Sequence, residues 1–190
     1  MRLGVDVDGV LFDFHGAACH LLNVHKGYHL RREDVQEWDY IPRMVGREDY
    51  AWLFKPDGGI EAGLFRFGHI IKSAIEGIHA IRDMGHELVI ITHRPAVAVQ
   101  DTLDWLSYCR FKPAEVRILS DESPKTNVAA DVYIDDKPET ISAVMLNTGA
   151  QAIIFDQAWN HLSLPGDQDA TRFYRAHGWD EVFARIESLG

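Results

Sequence analysis

Cysteine is almost absent from this chain. Cys19 and Cys109 are the only two, so there is no disulfide framework to read and no cysteine spacing that would hold a metal. Both read as reduced cytoplasmic thiols. Positive charge is also short, with 19 Lys and Arg against 29 Asp and Glu and a net charge of −10. That balance argues against a nucleic-acid backbone or an anionic membrane as the main partner, because both demand a cationic face. No apolar run approaches the roughly 20 residues of a membrane span. No signal-peptide pattern opens the chain, since an acid-bearing strand begins at residue 2. The ten histidines form neither HxH nor HExxH, so the scattered His15, His20, His25, His29 and His69 read as surface residues rather than metal ligands. Repeats and low-complexity segments are missing too. The expectation is a soluble, cytoplasmic protein, one domain with a small insert at 190 residues.

What is present is concentrated at residues 2–14, RLGVDVDGVLFDF. Alternating Leu3, Val5 and Val7 deliver Asp6 and Asp8 at a spacing of two, which in a strand shares one face. Gly9 then lets the backbone turn away without a Cβ in its path. Two carboxylates this close need a cation or a shared proton; taken alone, the pair also reads as two solvated acids at a strand end. Further short apolar runs at 87–92, 116–119, 131–135 and 151–155 read as buried strands. Helical periodicity marks residues 73–84, 97–108, 139–147 and 179–188. Strands alternating with helices predict an α/β fold with a doubly wound parallel sheet. Residues 15–70 break that rhythm. With helices expected near 15–26 and 47–54, they read as a helical cap inserted into a core made of 1–14 and 71–190. Residues 156–178, with Pro165-Gly166, read as a loop-rich return.

Four segments then share a property. The first strand ends in Asp6-x-Asp8, the second in Thr92, the fourth in Asp135-Asp136, and Lys125 opens the segment after the third. A parallel sheet gathers such ends in one crevice. Carboxylates, a hydroxyl and an ammonium together suit Mg²⁺ and a phosphate.

These four pieces resemble the four motifs of the haloacid dehalogenase superfamily of phosphohydrolases. Within it the chain most resembles the 5'(3')-deoxyribonucleotidases, which have a DMDGVLADF-like start, a helical cap after the first motif, and a Lys-Thr followed by an Ile-Asp-Asp-Lys/Arg turn. The counterparts here are Lys125-Thr126 and Ile134-Asp135-Asp136-Lys137, with eleven residues from Lys125 to Asp136. The helix entry in GLFRFGHIIKSAIEGIHAIRDMG and the tail FDQAWNH…GWDEVFARI also resemble that family.

The resemblance implies a Mg²⁺-dependent phosphomonoesterase for nucleoside monophosphates, deoxyribonucleotides above all. Asp6 would be the nucleophile and Asp8 the acid and base, its carbonyl also on the metal. Asp136 would be the remaining metal ligand, with Asp135 as second choice. Thr92 and Lys125 would hold and neutralise phosphate oxygens. One departure stands out: the nucleotidases have Thr-Ser-Pro at the second motif, where this chain has Thr92-His93-Arg94-Pro95. His93, next to Thr92, is a further candidate for substrate contact. Arg94 has three readings: a fork onto phosphate, a stack on a base, or a surface residue at a helix start. Phe12, Phe65 and the aromatics Trp38, Tyr40, Trp52, Phe54 and Phe67 are candidates for a base slot, against a reading in which they form the cap's own core. Rival functions are a phosphatase for another small phosphoester, such as a sugar phosphate or a 3'-phosphate end, and a non-catalytic nucleotide-binding protein. The partner expected is a small phosphoester, not a nucleic acid or a membrane, with room for a homodimer.

Overall fold

The alternation read in the strands becomes two hydrophobic layers. The computed structural model describes residues 1–161 and 171–190. Six parallel strands make one sheet: β1 (Arg2–Val5), β2 (Glu87–His93), β3 (Glu115–Leu119), β4 (Val132–Asp135), β5 (Gln151–Phe155) and β6 (Phe173–Ala176), in the order β3-β2-β1-β4-β5-β6. Leu3, Val5, Leu88, Ile90, Val132, Ile134, Ile153 and Phe155 face one side. There they pack on α3 (Ala74–Asp83), α4 (Val99–Tyr108) and α6 (Trp179–Leu189) through residues such as Ile78, Trp105 and Trp179. Val89, Ile91, Tyr133, Ala152 and Ile154 face the other side, covered by Ile141, Val144 and Met145 of α5 (Pro138–Asn147). With both faces covered, the strands are near-continuous apolar runs, as parallel sheets require.

The strand order reverses at β1, which pairs with β2 on one side and β4 on the other. In open α/β sheets this is where the carboxyl-end crevice opens. Residues between β1 and β2 leave the sheet. They form α1 (Phe14–Lys26), α2 (Tyr40–Trp52) and a π-type turn at Pro56–Ile60. α1 is capped at both ends: the Asp13 carboxylate accepts from the Gly16 N–H at 3.1 Å, and Gly27 closes the helix at φ 74°. Leu21, Leu22, Ile41, Leu53, Leu64 and Phe65 bury themselves in a cluster of their own, which reaches the rest of the molecule at Ala98 and Trp159. No helix among the described residues is long and apolar enough to cross a membrane.

Three expectations about the elements need correction. β6 was read as loop; its sequence FYRA is only partly buried at the sheet edge, so it lacks the apolar run that marks the inner strands. α2 begins at Tyr40 rather than near 47, because Pro42 and a kink at Gly46 (φ 77°) disguise the helical period. β1 ends at Val5, short of the alternating run that the sequence carries to Val7, because the Val7 carbonyl is taken by the Leu11 and Phe12 N–H groups of the turn. The Pro165-Gly166 turn lies outside the described residues.

The packing of α3 on α6 yields a stability test. A Cβ on Gly77 would stand 2.7 Å from Cε3 of Trp179, whose ring cannot retreat freely because its indole N–H donates to the Val10 carbonyl at 2.9 Å. Gly77→Ala should therefore destabilise the fold by roughly 1–3 kcal/mol in a urea melt, despite the better helix propensity of alanine. An increase in stability would contradict this packing.

Candidate active site

The site starts from a backbone reversal. Asp6 continues the pairing of β1 with β4 through its N–H to the Ile134 carbonyl at 3.0 Å. The chain then folds back on itself, with the N–H groups of Leu11 and Phe12 both donating to the Val7 carbonyl at 2.8 Å. Gly9 is required twice over. Its φ is +78°, and a Cβ there would fall 2.1 Å from Asp136 Oδ2. The close approach of this turn to the end of β4 is what brings the two acidic segments together.

Asp6, Asp135 and Asp136 are all buried, with carboxylate oxygens within 4.8 Å of one another. Lys125 Nζ lies 2.7 Å from Asp6 Oδ2 and 2.7 Å from Asp135 Oδ2. Asp135 Oδ1 accepts the Lys137 N–H at 2.8 Å, so both of its oxygens are engaged. Asp136 accepts the Trp159 indole N–H at Oδ2, 2.9 Å away, and Oδ1 takes no hydrogen bond among the described residues. Burial raises the Asp136 pKa well above the usual carboxylate range, and the neighbouring charges of Asp135 and Asp6 raise it further. Burial also raises that of Asp135, against the pull of Lys125. Lys125 is held above its ordinary value by Asp135 and Asp6, which outweigh its own desolvation. Three acids crowd one ammonium in a buried pocket, and the raised values of Asp135 and Asp136 reflect burial together with that crowding; the donor set of hard oxygens suits a divalent cation.

Thr92, near the end of β2, is fully buried. Its hydroxyl finds no partner among the described residues, a cost normally avoided unless a ligand supplies the bond. His93 is half-buried with Nε2 donating to the Ser123 carbonyl at 2.9 Å. Asp8 lies outside the acidic trio. Arg94 takes both its oxygens, Nη2 on Oδ1 at 2.6 Å and Nε on Oδ2 at 2.9 Å. Burial raises the Asp8 pKa and Arg94 opposes it.

A cleft of about 850 Å³ opens over these groups. Asp6, Asp8, Thr92, His93, Arg94, Lys125 and Asp136 line its floor, and Phe14, His15, Trp38, Tyr50, Phe54 and Phe65 stand on its wall. The candidate aromatics therefore divide. Trp38, Phe54 and Phe65 reach the cleft, whereas Tyr40, Trp52 and Phe67 do not line it. Phe12 is corrected: it is fully buried beneath Arg94 and packs edge-on against Trp105 at 5.0 Å, so no base can reach it. The surface reading of Arg94 does not match its side chain, which has no exposure, and its fork meets Asp8 in this structure.

Two groups escaped the sequence reading. His15 is buried against Trp159, with ring centroids 4.2 Å apart, while His20, His25, His29 and His69 are exposed as read. Trp159 donates to Asp136, Asn160 donates to the Asp136 carbonyl at 2.8 Å, and Gln157 to the Gly9 carbonyl at 2.6 Å. The signal for these three was the QAWN stretch, whose resemblance was noted without roles for its side chains.

Similarity to known proteins follows the geometry. A Deinococcus radiodurans hydrolase of the haloacid dehalogenase family, solved with bound phosphate and sodium, superposes with a TM-score of 0.64 at 16% identity, covering 100% of this chain and 96% of that one. A phosphatase structure from Clostridium acetobutylicum gives 0.66 at 15% identity, over 99% and 98%. The fold is thus the haloacid dehalogenase-type α/β fold. In sequence, a "putative 5'(3')-deoxyribonucleotidase" of Chlorobaculum tepidum is 27% identical over 98% of this chain and 90% of its own length. A "putative nucleotidase" of Oceanobacillus iheyensis is 24% identical over 84% and 89%. The model of the 5' nucleotidase, deoxy (pyrimidine), cytosolic type C proteins matches residues 1–188, and the chain belongs to that family. It is a phosphomonoester hydrolase.

His15 generates a prediction of its own. Burial and the nearby Arg32 lower its pKa to about 4, so the folded state keeps it neutral while the unfolded chain binds a proton below about 6.5. Stability from this group is complete above that value and is lost as pH falls toward 4. Between pH 7 and pH 5 the wild type should lose roughly 2 kcal/mol that His15→Phe retains. Equal losses in denaturant melts of both proteins would refute the buried, neutral imidazole.

Proposed function

We propose that this protein is a Mg²⁺-dependent nucleotidase that hydrolyses nucleoside monophosphates, deoxyribonucleotides in particular, through an aspartyl-phosphate on Asp6. One observation carries the reading: three buried carboxylates lie within reach of one another, two of them on a single lysine, in an aromatic-walled cleft that also holds a threonine hydroxyl with no partner among the described residues. The names of the relatives from Chlorobaculum tepidum and Oceanobacillus iheyensis support the substrate class.

In this reading Asp6, Asp136 and the Asp8 carbonyl would hold the cation, and Asp135, committed to Lys125 and the Lys137 N–H, steadies the lysine. When bound there, such an ion would supply positive charge that offsets the repulsion between the Asp6 carboxylate and the phosphate. Asp6 forms a bond to phosphorus as the phosphorus–oxygen bond to the ribose breaks. Asp8 gives its proton to the departing oxygen, then accepts one from the water that cleaves the aspartyl-phosphate. Thr92 and Lys125 hold the other phosphoryl oxygens. Trp38 and Phe54 offer faces for the base, while Phe65 is buried against Arg94. The segment 15–70, with its own apolar cluster, serves as the cap over the core made of 1–14 and 71–190.

Phosphate release from a panel of nucleoside monophosphates, sugar phosphates and 3'-phosphorylated oligonucleotides tests this. The nucleotides should be turned over fastest, chelation with EDTA should abolish release and added Mg²⁺ restore it, and Asp6→Asn should lose roughly 10³-fold or more. A sugar phosphate preferred over every nucleotide, or activity that survives chelation, would overturn the proposal.

A further inference from the structure

The guanidinium of Arg94 is sealed from solvent at the cleft floor. Its side chain has no exposure, while that of Asp8 keeps 22%. Nε and Nη2 form a two-pronged bond to Asp8, and Nη1 donates to Thr102 Oγ1 at 3.1 Å. Thr102 is in turn fixed on α4, donating to the Ala98 carbonyl at 2.8 Å. The rings of Phe12 and Phe65 lie 4.7 and 4.6 Å from the guanidinium carbon. A guanidinium packed by two rings and tethered along its edge has no freedom to swing toward a phosphate. Its planar fork instead dictates the plane of the carboxylate it grips.

We propose that Arg94 is a positioning residue that orients the Asp8 carboxylate toward the oxygen of the departing group, and that it does not bind the substrate phosphate. This rests on the acid–base reading of Asp8 given above. A small error in the position of a proton donor costs rate rather than affinity. The arrangement also spans two parts of the fold, because Phe12 belongs to the sheet's own core and Phe65 to the separate apolar cluster.

The test is a double-mutant cycle on nucleoside monophosphate turnover, with Arg94→Met, Asp8→Asn and both together. If Arg94 acts through Asp8, Arg94→Met should lower kcat roughly 10–100-fold with KM within about twofold, and should cost nothing more in the Asp8→Asn background. Bond breaking to a leaving group that needs no proton, read as the p-nitrophenol burst from p-nitrophenyl phosphate, should fall by less than about threefold. Should Arg94→Met fold poorly in a thermal melt, Thr102→Val loosens only the tether and should show the same split at smaller size. A rise in KM at constant kcat, or losses that multiply in the double variant, would overturn the proposal by placing Arg94 on the substrate. Asp8→Asn with unchanged nucleotide turnover would instead overturn the underlying reading of Asp8.

Discussion

Negative charge held out of water is the constraint around which this molecule is built. Asp6, Asp135 and Asp136 converge in a buried space with Lys125 as the ammonium between them. Removing carboxylates from water is expensive unless each charge is paired or hydrogen-bonded. Much of the surrounding structure serves that need. The Val7 N–H bonds Asp6 at 2.7 Å, the Lys137 N–H bonds Asp135, and the Trp159 indole bonds Asp136. Glycine at position 9 is the only residue that lets the first turn come this close. What stays unbalanced is the charge that a cation would balance.

The sheet delivers these groups and the helices make them stay. β1 and β4 are neighbours at the point where strand order reverses, so their carboxyl ends cannot avoid each other. Asn160 pins the Asp136 backbone, and Arg175 on β6 grips Asn160 Oδ1 at 3.0 Å and Asp156 at 2.6 Å. From the opposite side Arg32 bonds Asp13 at 2.7 Å and Gln157 at 3.2 Å, while its guanidinium sits 4.9 Å from the Trp159 ring. Trp159 thus touches both the acid that faces the cleft and the segment between β1 and β2. These links join pieces far apart in sequence at one place.

The architecture was legible because each inner strand is an apolar run bounded by polar residues, and each core helix repeats with a helical period. Asp6, Thr92, Lys125 and the 135–136 pair could be picked out for the same reason: chemistry-bearing residues stand at strand ends, where topology gathers them. β6 was invisible, since an edge strand needs no apolar run. The burial of Arg94 and His15 is not legible in the sequence, because burial of a polar side chain depends on rings contributed from elsewhere, Phe65 in one case and Trp159 in the other. Phe12 was offered to a base because a sequence shows an aromatic ring but not the guanidinium packed over it. Local pattern records which residues carry chemistry; it does not record which neighbours have already claimed them.

Calorimetric titration of the protein with Mg²⁺, alongside Asp136→Asn and Asp6→Asn, addresses the acidic pocket directly. This account predicts a single site in the wild type and a loss of affinity of about tenfold or more in each variant. Absence of Mg²⁺ binding to the wild type, or equal binding by all three proteins, would contradict it.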